Sequence, residues 1–416
     1  MHLWALAVGL VISGEYFGWN YGWGAAGTMG FLIATLIITV LYITFIFSFT
    51  ELTTSIPQAG GPFDFALKAF GKTGGLIAGY ATLIEFVFAP PAIAFALGSY
   101  VHFLFAGIPV MATAIGCYIV FTAINLLGIK ESAVFNLIVT VLAVIELLIF
   151  IGIVSPAFKM ENFMQDNMPF GYAGIFAALP FAIWFYLGIE GVAMVAEEVD
   201  DPKRNIPKGY ILGIITLVIL ALSVMIFSGG IGDWKMLSTI DYPLPASISM
   251  VLGKTNTWTK AFAGIGLFGL IASFHSLIIG YSRQIFALSR SGFLPKKLSE
   301  VNTKFQTPHW ALIAGMIVGL ISLFTGTTDK VIIISALGAV VMYCISMISL
   351  FRLRKQASHQ PSCKTPLYPW FPAIALLLSF VSLIAIIYYN FLLSIIFFTG
   401  LILAFILFKM FNKQQL

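Results

Sequence analysis

The sequence predicts an all-α membrane protein with twelve transmembrane helices. The chain has 416 residues, of which 60% are hydrophobic and only 9% are charged, whereas a soluble protein carries about 25% charged residues. Its mean hydropathy is +0.99. Apolar windows of about 20 residues, the length that crosses a bilayer as a helix, recur along the whole chain. The predicted spans cover residues 3–27, 29–50, 74–104, 109–127, 133–155, 171–196, 209–230, 259–289, 309–326, 330–351, 370–390 and 392–411.

The distribution of basic residues predicts the orientation. All but five of the 22 Lys and Arg fall on one side of the membrane if the N-terminus is cytoplasmic. This asymmetry follows the positive-inside rule, so we expect both termini in the cytoplasm and the protein in the plasma (inner) membrane. The net charge of +5 therefore reports topology and gives no reason to expect a nucleic-acid partner. The five exceptions are Lys159, Lys235, Lys254, Lys260 and Lys330.

The sequence contains no recognisable catalytic or metal-binding pattern. Cys117, Cys344 and Cys363 are too few and too scattered for a disulfide or metal framework. No cluster of His, Cys and acidic residues has zinc spacing, and there is no phosphate-binding glycine loop or nucleophile elbow. We therefore expect no enzyme activity, no cofactor and no metal.

Spans 1 and 6 each carry a carboxylate beside glycine in mid-membrane. Glu15 lies between Gly14 and Gly18, and Glu190 directly precedes Gly191. A charge near the bilayer centre costs at least about 2.5 kcal/mol, and glycine weakens the helix around it. Both features are tolerable where a helix is broken and lines a cavity. We therefore predict two interrupted helices with a binding site between them.

These two sites each open a run of five spans, which predicts an inverted repeat. Residues 3–155 would form the first repeat and residues 171–351 the second. Because each half has an odd number of spans, the two would face opposite directions across the membrane. Residues 370–411 would add two further helices. The loops are too short for a separate soluble domain, so we expect one domain over residues 1–416. The first span follows Met1 almost directly without a basic region before it, and should insert as an ordinary helix.

Four connections have predicted roles. The segment Glu51–Lys72 should be a cytoplasmic turn followed by a short amphipathic segment. The outer loop Gly232–Thr259 contains a predicted helical stretch near Ala246–Leu252 that could act as an external lid. The loop Gly292–Pro308 is basic and should be cytoplasmic. The charged run Glu197–Lys208 should be a solvated loop, with a latch of the cytoplasmic gate as the alternative.

Three motifs in order resemble the amino acid–polyamine–organocation transporter superfamily over nearly the whole chain. The most specific one joins Gly188–Gly191 to Glu197–Pro207, and is similar to the sixth helix of that family and the acidic-Pro-basic-Asn-x-Pro loop after it. Ala59–Phe63 resembles the loop before the third helix, and Ser291–Pro295 the loop after the eighth. The resemblance implies the leucine-transporter-type fold, with a five-plus-five inverted repeat and two C-terminal helices, and a secondary transporter that works by alternating access.

The first span resembles one branch of that superfamily. In its amino-acid carriers the broken first helix usually reads Gly-Ser-Gly-aliphatic-Phe and offers backbone N–H groups to a substrate carboxylate. Here Ile12 replaces the first glycine and Glu15 the aliphatic residue, which should repel a carboxylate. The segments Gly9–Asn20 and Glu85–Pro91 look like the ethanolamine permease branch. The resemblance therefore implies ethanolamine or a close small organic amine as cargo.

Buried ionisable residues are the candidates for cargo and proton handling. Glu15 either handles the substrate or a proton, or it makes a buried contact that breaks the helix. Glu85 either faces the pocket or is a neutral carboxyl that is hydrogen-bonded between helices. Glu190 belongs to a motif shared by carriers of different cargoes, which favours gating or proton coupling. Glu146 and His275 are also candidates for gating or proton coupling. A core histidine whose hydrogen bonds are satisfied is, however, more common than one that relays a proton.

The predicted cargo site combines residues from both broken helices and span 3. Aromatic faces attract an ammonium group by about 0.5–2 kcal/mol, and exposed carbonyls with the Ser13 hydroxyl would bind the ammonium protons and the cargo hydroxyl. The predicted substrate-binding residues are Ser13, Gly14, Glu15, Tyr16, Glu85, Trp184, Phe185, Tyr186 and Gly188.

The sequence thus favours a proton-coupled permease for ethanolamine or a close amine, paired to Glu15. Two carboxylates near one site cannot both ionise cheaply, so one proton would leave when the amine arrives. An amino acid permease or exchanger of the same superfamily is the alternative. An ion channel would not need two broken helices, and an integral membrane enzyme lacks a catalytic constellation. The expected partners are the amine, protons and the lipid bilayer; the sequence leaves the oligomeric state open.

Overall fold

The computed structural model describes residues 2–128, 133–356, 361 and 363–411. Within these ranges all regular structure is helical, with three short 3₁₀ helices at Ser155–Ala157, Ile189–Glu198 and Lys296–Ser299. Met1, Lys130 and Lys413, which enter the predictions of the first span and of the orientation, lie outside them. The α-helices are α1 His2–Val11, α2 Ser13–Tyr16, α3 Tyr21–Ser55, α4 Pro62–Leu104, α5 Val110–Leu126, α6 Ala133–Val154, α7 Met160–Met164, α8 Gly171–Ala177, α9 Leu179–Trp184, α10 Pro202–Gly229, α11 Trp234–Leu237, α12 Pro243–Leu252, α13 Thr257–Arg290, α14 His309–Thr325, α15 Thr328–Leu353, α16 Trp370–Tyr389 and α17 Phe391–Phe411.

Nine helical segments in the described part of the chain are long and apolar enough to cross a membrane. Three predicted spans coincide instead with shorter apolar helices: span 1 with α1, span 4 with α5 and span 9 with α14. The count of twelve and the inverted repeat stay predictions. The nine segments are Tyr21–Ser55, Pro62–Leu104, Asn136–Ala157, Leu179–Glu198, Pro202–Gly229, Thr257–Arg290, Thr328–Leu353, Trp370–Tyr389 and Phe391–Met410.

Two glycines with positive φ divide long helices at predicted boundaries. Gly27 (φ 71°) interrupts α3 between predicted spans 1 and 2, and Gly71 (φ 70°) interrupts α4 between the predicted amphipathic segment and span 3. Glycine lacks the Cβ that makes this conformation costly in other residues. Each of these helices is therefore two helices joined at a bend.

Both predicted interruptions are present. In span 1 the helix ends after α2, Phe17 is extended, Gly18 adopts φ 90°, and α3 begins at Tyr21. The break thus lies after Tyr16 rather than at Glu15, because Gly18 is the glycine that takes positive φ. In span 6 α9 ends at Trp184, and Gly188 (φ 98°) precedes the 3₁₀ helix Ile189–Glu198.

Two loop boundaries differ from prediction. Helix α3 continues through Glu51 to Ser55, because Glu51 is fully buried and accepts hydrogen bonds from Arg354 and Thr365 instead of water. The charged run Glu197–Lys208 is helical from Pro202 onward, where a proline suits the first turn of a helix. The helical stretch predicted in the outer loop is confirmed as α12.

The two broken segments lie in the middle of the packing. Helix α1 packs against α6, α10 and α13, while α9 packs against α3 and α15. Helix α4 makes its largest contacts with α15 and α13. The last two helices are peripheral, with α16 against α3 and α15 and α17 against α15, α16 and α4.

Candidate functional site

The carbonyl groups of the span 1 break are held by side chains. The Trp184 indole N–H donates to the Phe17 carbonyl (3.0 Å), and the Trp19 indole donates to the Glu15 carbonyl (3.1 Å). The Tyr100 hydroxyl donates to the Tyr16 carbonyl (3.2 Å). A buried backbone group without a partner is costly, so these contacts stabilise the non-helical conformation.

Several N–H groups of the same segment also have protein acceptors. The Ser13 amide donates to the Ser273 hydroxyl (3.1 Å), which itself donates to the Gly9 carbonyl (2.7 Å). The Phe17 amide donates to the Ser13 carbonyl (3.3 Å), and the Gly18 amide to the side-chain oxygen of Asn20 (2.9 Å). A cargo carboxylate that used these donors would have to displace their present acceptors.

Glu15 combines full burial with an unpartnered carboxyl group. Its side chain is inaccessible to solvent, and neither carboxyl oxygen has a hydrogen-bond partner among the described residues. An isolated buried carboxylate is strongly unfavourable, so this group requires either a proton or a cation supplied from outside the protein.

The aromatic residues of span 6 pack against the segment around the span 1 break. The Trp184 ring contacts Phe17 edge-on at 5.6 Å, and Phe185 stacks on Trp19 at 5.6 Å. The Tyr186 hydroxyl shares a hydrogen bond with Thr39. Trp184, Phe185 and Tyr186 are all buried. Trp184 and Phe185 therefore lie beside the break that follows Glu15, and Tyr186 packs next to Phe185.

A second carboxyl group faces Glu190. The Glu85 carboxyl lies near that of Glu190, but neither of its oxygens has a hydrogen-bond partner among the described residues. The Tyr343 hydroxyl donates to Glu190 (3.4 Å) and shares a 2.6 Å hydrogen bond with the Tyr42 hydroxyl. Two acceptor-only carboxylates repel each other, whereas a carboxylic acid can donate to a carboxylate. A proton on either carboxyl would relieve this repulsion and would allow a hydrogen bond between the two groups.

Tyr16, Glu146 and His275 lie on other sides of the bundle core. The Tyr16 hydroxyl donates to Glu146 (2.8 Å) and to the Ala143 carbonyl (3.1 Å), so its side chain points towards α6. His275 lies against α5, with the Asn125 amide 3.3 Å from its ring. The structure thus supplies the partner of Glu146 that the sequence left open. It groups Tyr16 with Glu146 and places His275 in a different environment.

Sequence reasoning missed the hydroxyls of Tyr42 and Tyr343. Both residues are fully buried, in α3 and α15. Tyrosine in membrane helices is usually enriched at the interfaces, so a tyrosine in the middle of a span is a usable signal for an internal polar network. Ser273 accepts a hydrogen bond from the Ser13 amide, but nothing in the sequence around Ser273 indicates this role.

Polar contacts lie on both sides of the two breaks. On the predicted cytoplasmic side, Arg283 pairs with Glu198 (2.9 Å) and donates to the Met194 carbonyl (3.1 Å), beside a cavity of about 230 Å³. On the other side, the Asn20 amide donates to carbonyls of the outer loop, at 2.6 Å to Leu237 and 2.8 Å to Ile240.

The outer loop is joined to the core by a half-buried acid. Asp241 accepts hydrogen bonds from the Tyr21 hydroxyl (2.6 Å) and the Thr328 hydroxyl (2.9 Å). Burial raises the pKa of the Asp241 carboxyl, and the two hydrogen bonds partly oppose that shift. The loop predicted as an external lid therefore contacts the residues directly after the span 1 break.

Replacing Gly14 by alanine should destabilise the protein by about 1–3 kcal/mol, the usual cost of overpacking. A Cβ on Gly14 would lie 2.5 Å from the Trp184 carbonyl oxygen and 3.2 Å from the Phe185 Cα. Backbone atoms cannot rotate away, so α2 would have to move from α9. The melting temperature of the purified variant measures the effect.

Gly152→Ala is the matched control. A Cβ at Gly152 would meet no atom within 4 Å, and alanine favours a helix over glycine by about 0.5–1 kcal/mol. This variant should melt at or slightly above the wild-type temperature. Equal melting temperatures for the two variants would contradict a tight contact between the broken segments.

The known proteins that this chain resembles are transporters and permeases. The sequence profile of the amino acid permease family matches residues 2–411. An uncharacterized transporter of Rhizobium meliloti is 30% identical over 85% of this chain and 78% of its own length. The branched-chain amino acid permease BcaP of Bacillus subtilis is 27% identical over 85% of this chain and 79% of its own. The methylthioribose transporter of Bacillus subtilis is also 27% identical, with the same coverage.

Proposed function

The chain belongs to the amino acid permease family, and on that premise we propose that it carries ethanolamine or a close small organic amine, whose ammonium group pairs with Glu15. As a permease it is a multi-pass membrane transporter. Transport would be coupled to protons and would follow alternating access of an inverted repeat. The proposed location is the plasma (inner) membrane, with both termini in the cytoplasm.

The unpartnered carboxyl of Glu15 carries the proposal. A family member that binds its cargo carboxylate through backbone N–H groups has no use for an acid at this position. Two unit charges 4 Å apart attract by about 4 kcal/mol at an effective dielectric of 20, while desolvation takes back several kcal/mol per ion. Micromolar binding needs about 8 kcal/mol, so other contacts must contribute much of the affinity.

Those other contacts would come from the two breaks. Trp184, Phe185 and Tyr186 present aromatic surface next to the break after Glu15, and an ammonium group is attracted to aromatic faces. The Ser13 hydroxyl and the backbone at Gly14 and Gly188 would receive the remaining ammonium protons and the cargo hydroxyl. The engaged amides of Ser13, Phe17 and Gly18 favour a cargo that needs no anion site.

The Glu85–Glu190 pair supplies a place for the coupling proton. A single shared proton would leave one negative charge, and the hydrogen-bonded hydroxyls of Tyr343 and Tyr42 would connect the pair to α3. Arrival of a cation nearby favours the ionised form of the pair, so the proton would be released as the amine binds. Glu146 and His275 remain candidates for the proton path.

An amino acid is the second candidate cargo. It is favoured by BcaP, a relative that covers most of this chain and is named as a branched-chain amino acid permease. An amino acid would place its carboxylate on the amides of the span 1 break, after Ser273 and the Asn20 side chain release them. Glu15 would then contact the amino group or hold a proton.

Uptake of radiolabelled ethanolamine by the reconstituted protein separates the two candidates. We expect saturable uptake that unlabelled ethanolamine competes and that neutral amino acids at tenfold higher concentration leave essentially unchanged. Leucine and phenylalanine are the appropriate competitors. Strong competition by either, or uptake of labelled leucine without ethanolamine uptake, would contradict the amine proposal and favour the amino acid.

A further inference from the structure

An apolar groove of about 520 Å³ lies at the edge of the bundle, away from the cargo site. It is bounded by α4, by the end of α13 with the loop that follows, and by α17. Its volume lies within the range of small-ligand sites. The residues that define its walls are Leu76, Tyr80, Leu288, Phe293, Ala404 and Phe408.

Two aromatic contacts hold α17 across the groove. The Tyr80 ring meets Phe397 edge-on at 5.3 Å, and its hydroxyl donates to the Phe397 carbonyl (3.0 Å). Phe293 stacks on Phe408 at 4.7 Å, with the rings 7° from parallel. Because the Tyr80 hydroxyl is engaged in this way, the groove presents mainly hydrocarbon to its occupant.

Three exposed lysines are close in the sequence to residues that line the groove. Lys72 lies four residues before Leu76, on the same helix face, while Lys296 directly follows Pro295 and Lys409 directly follows Phe408. All three lysines are exposed. They belong to the predicted cytoplasmic side, so they would form a basic rim where the groove meets the lipid headgroups.

We propose that this groove binds one anionic phospholipid. An acyl chain would fill the apolar walls, and the phosphate of the headgroup would lie against Lys72, Lys296 and Lys409. Basic pockets between transmembrane helices on the cytoplasmic side recognise anionic headgroups in this way. A bulk lipid would fill the groove without preference, whereas this rim selects negative charge.

The groove also has a physical connection to the predicted cytoplasmic gate. Phe293 packs edge-on against Phe63 at 5.2 Å. Phe63 follows the loop in which the Ala59 amide donates to Glu197 (2.9 Å), and Glu197 lies 3.9 Å from Arg290. A bound acyl chain would therefore fix the Phe293 ring that supports this loop, so the occupant should alter the transport rate.

Native mass spectrometry of the full-length protein with phosphatidylglycerol and phosphatidylcholine tests the proposal. One retained phosphatidylglycerol per chain is expected, in clear preference to phosphatidylcholine. Each rim lysine should contribute about fivefold to retention, so Lys296→Glu with Lys409→Glu should lower it by at least about twentyfold. Lys260→Glu with Lys330→Glu, two exposed lysines on the opposite side, is the matched control and should retain the lipid.

A second variant tests the groove itself. Ala404→Phe should fill the space and remove the bound lipid, and because Ala404 faces the groove, its melting temperature should stay near that of wild type. Equal retention of the two lipids, or equal loss in the rim and control variants, would overturn the proposal. So would full retention of phosphatidylglycerol by a folded Ala404→Phe variant.

Discussion

Replacing Glu15 by glutamine should weaken ethanolamine binding by at least about thirtyfold. Removing one partner of a buried charge pair costs about 2–5 kcal/mol, and about 1.4 kcal/mol corresponds to tenfold in affinity. The substitution keeps the shape of the side chain and removes only its capacity for negative charge. Equilibrium binding of radiolabelled ethanolamine to the purified protein measures the change.

The same substitution should leave the stability of the cargo-free protein intact. The Glu15 carboxyl has no hydrogen-bond partner in the described structure, so its ionised form contributes nothing favourable before the cargo arrives. The melting temperature of Glu15→Gln should therefore equal or exceed that of wild type. Glu161→Gln, at an exposed position in α7, removes the same charge at the surface. It should alter neither the affinity for ethanolamine nor the melting temperature.

This combination separates function from folding. A lower affinity together with a lower melting temperature would mean that Glu15 supports the fold. Wild-type affinity in Glu15→Gln would remove the acid from the cargo site altogether.

The second large effect should come from the ion pair that joins α3 to the loop after α15. Arg354 donates two hydrogen bonds to the buried Glu51 carboxylate, at 2.6 and 2.5 Å, and the Thr365 amide and hydroxyl each donate another at 2.7 Å. Breaking a buried pair by removing one partner costs about 3–5 kcal/mol. Arg354→Met should therefore lower the melting temperature strongly.

Two comparisons test the origin of that effect. Arg352 is two residues away and exposed, with its guanidinium over the Phe70 ring, so Arg352→Met should cost about 1 kcal/mol or less. Adding Glu51→Met to Arg354→Met should restore part of the lost stability, because a well-packed apolar pair avoids the buried charge. If the double variant were less stable than Arg354→Met, the hydrogen bonds to Thr365 would be the dominant contribution.

The positions of the broken helices follow from local sequence. An ionisable residue next to glycine inside an apolar run is unfavourable in an intact helix, and this single conflict identified both Glu15 and Glu190. The exact position of the break in span 1 depended on which glycine takes positive φ. Gly14 stays helical, whereas Gly18 adopts φ 90°.

The partners of the buried groups could not be predicted because they come from distant segments. Tyr42 and Tyr343 are 301 residues apart in the sequence, and Glu51 and Arg354 are 303 apart. Nothing local distinguishes Glu51 from a loop acid, since its burial is created by residues that arrive from the other end of the chain. A pairing of Glu85 with Glu190 likewise requires the packing of α4 beside the second break.

The proposed transport depends on an anionic side chain in the cargo site that meets a cationic cargo. The most direct test is the rise in melting temperature that millimolar cargo produces, since a ligand that binds the folded state stabilises it. Wild type and Glu15→Gln are each compared with ethanolamine and with ethylene glycol, which replaces the ammonium by a hydroxyl. We expect ethanolamine to raise the melting temperature of wild type alone, and ethylene glycol to affect the two proteins equally. An equal rise with ethanolamine in both proteins would contradict the claim.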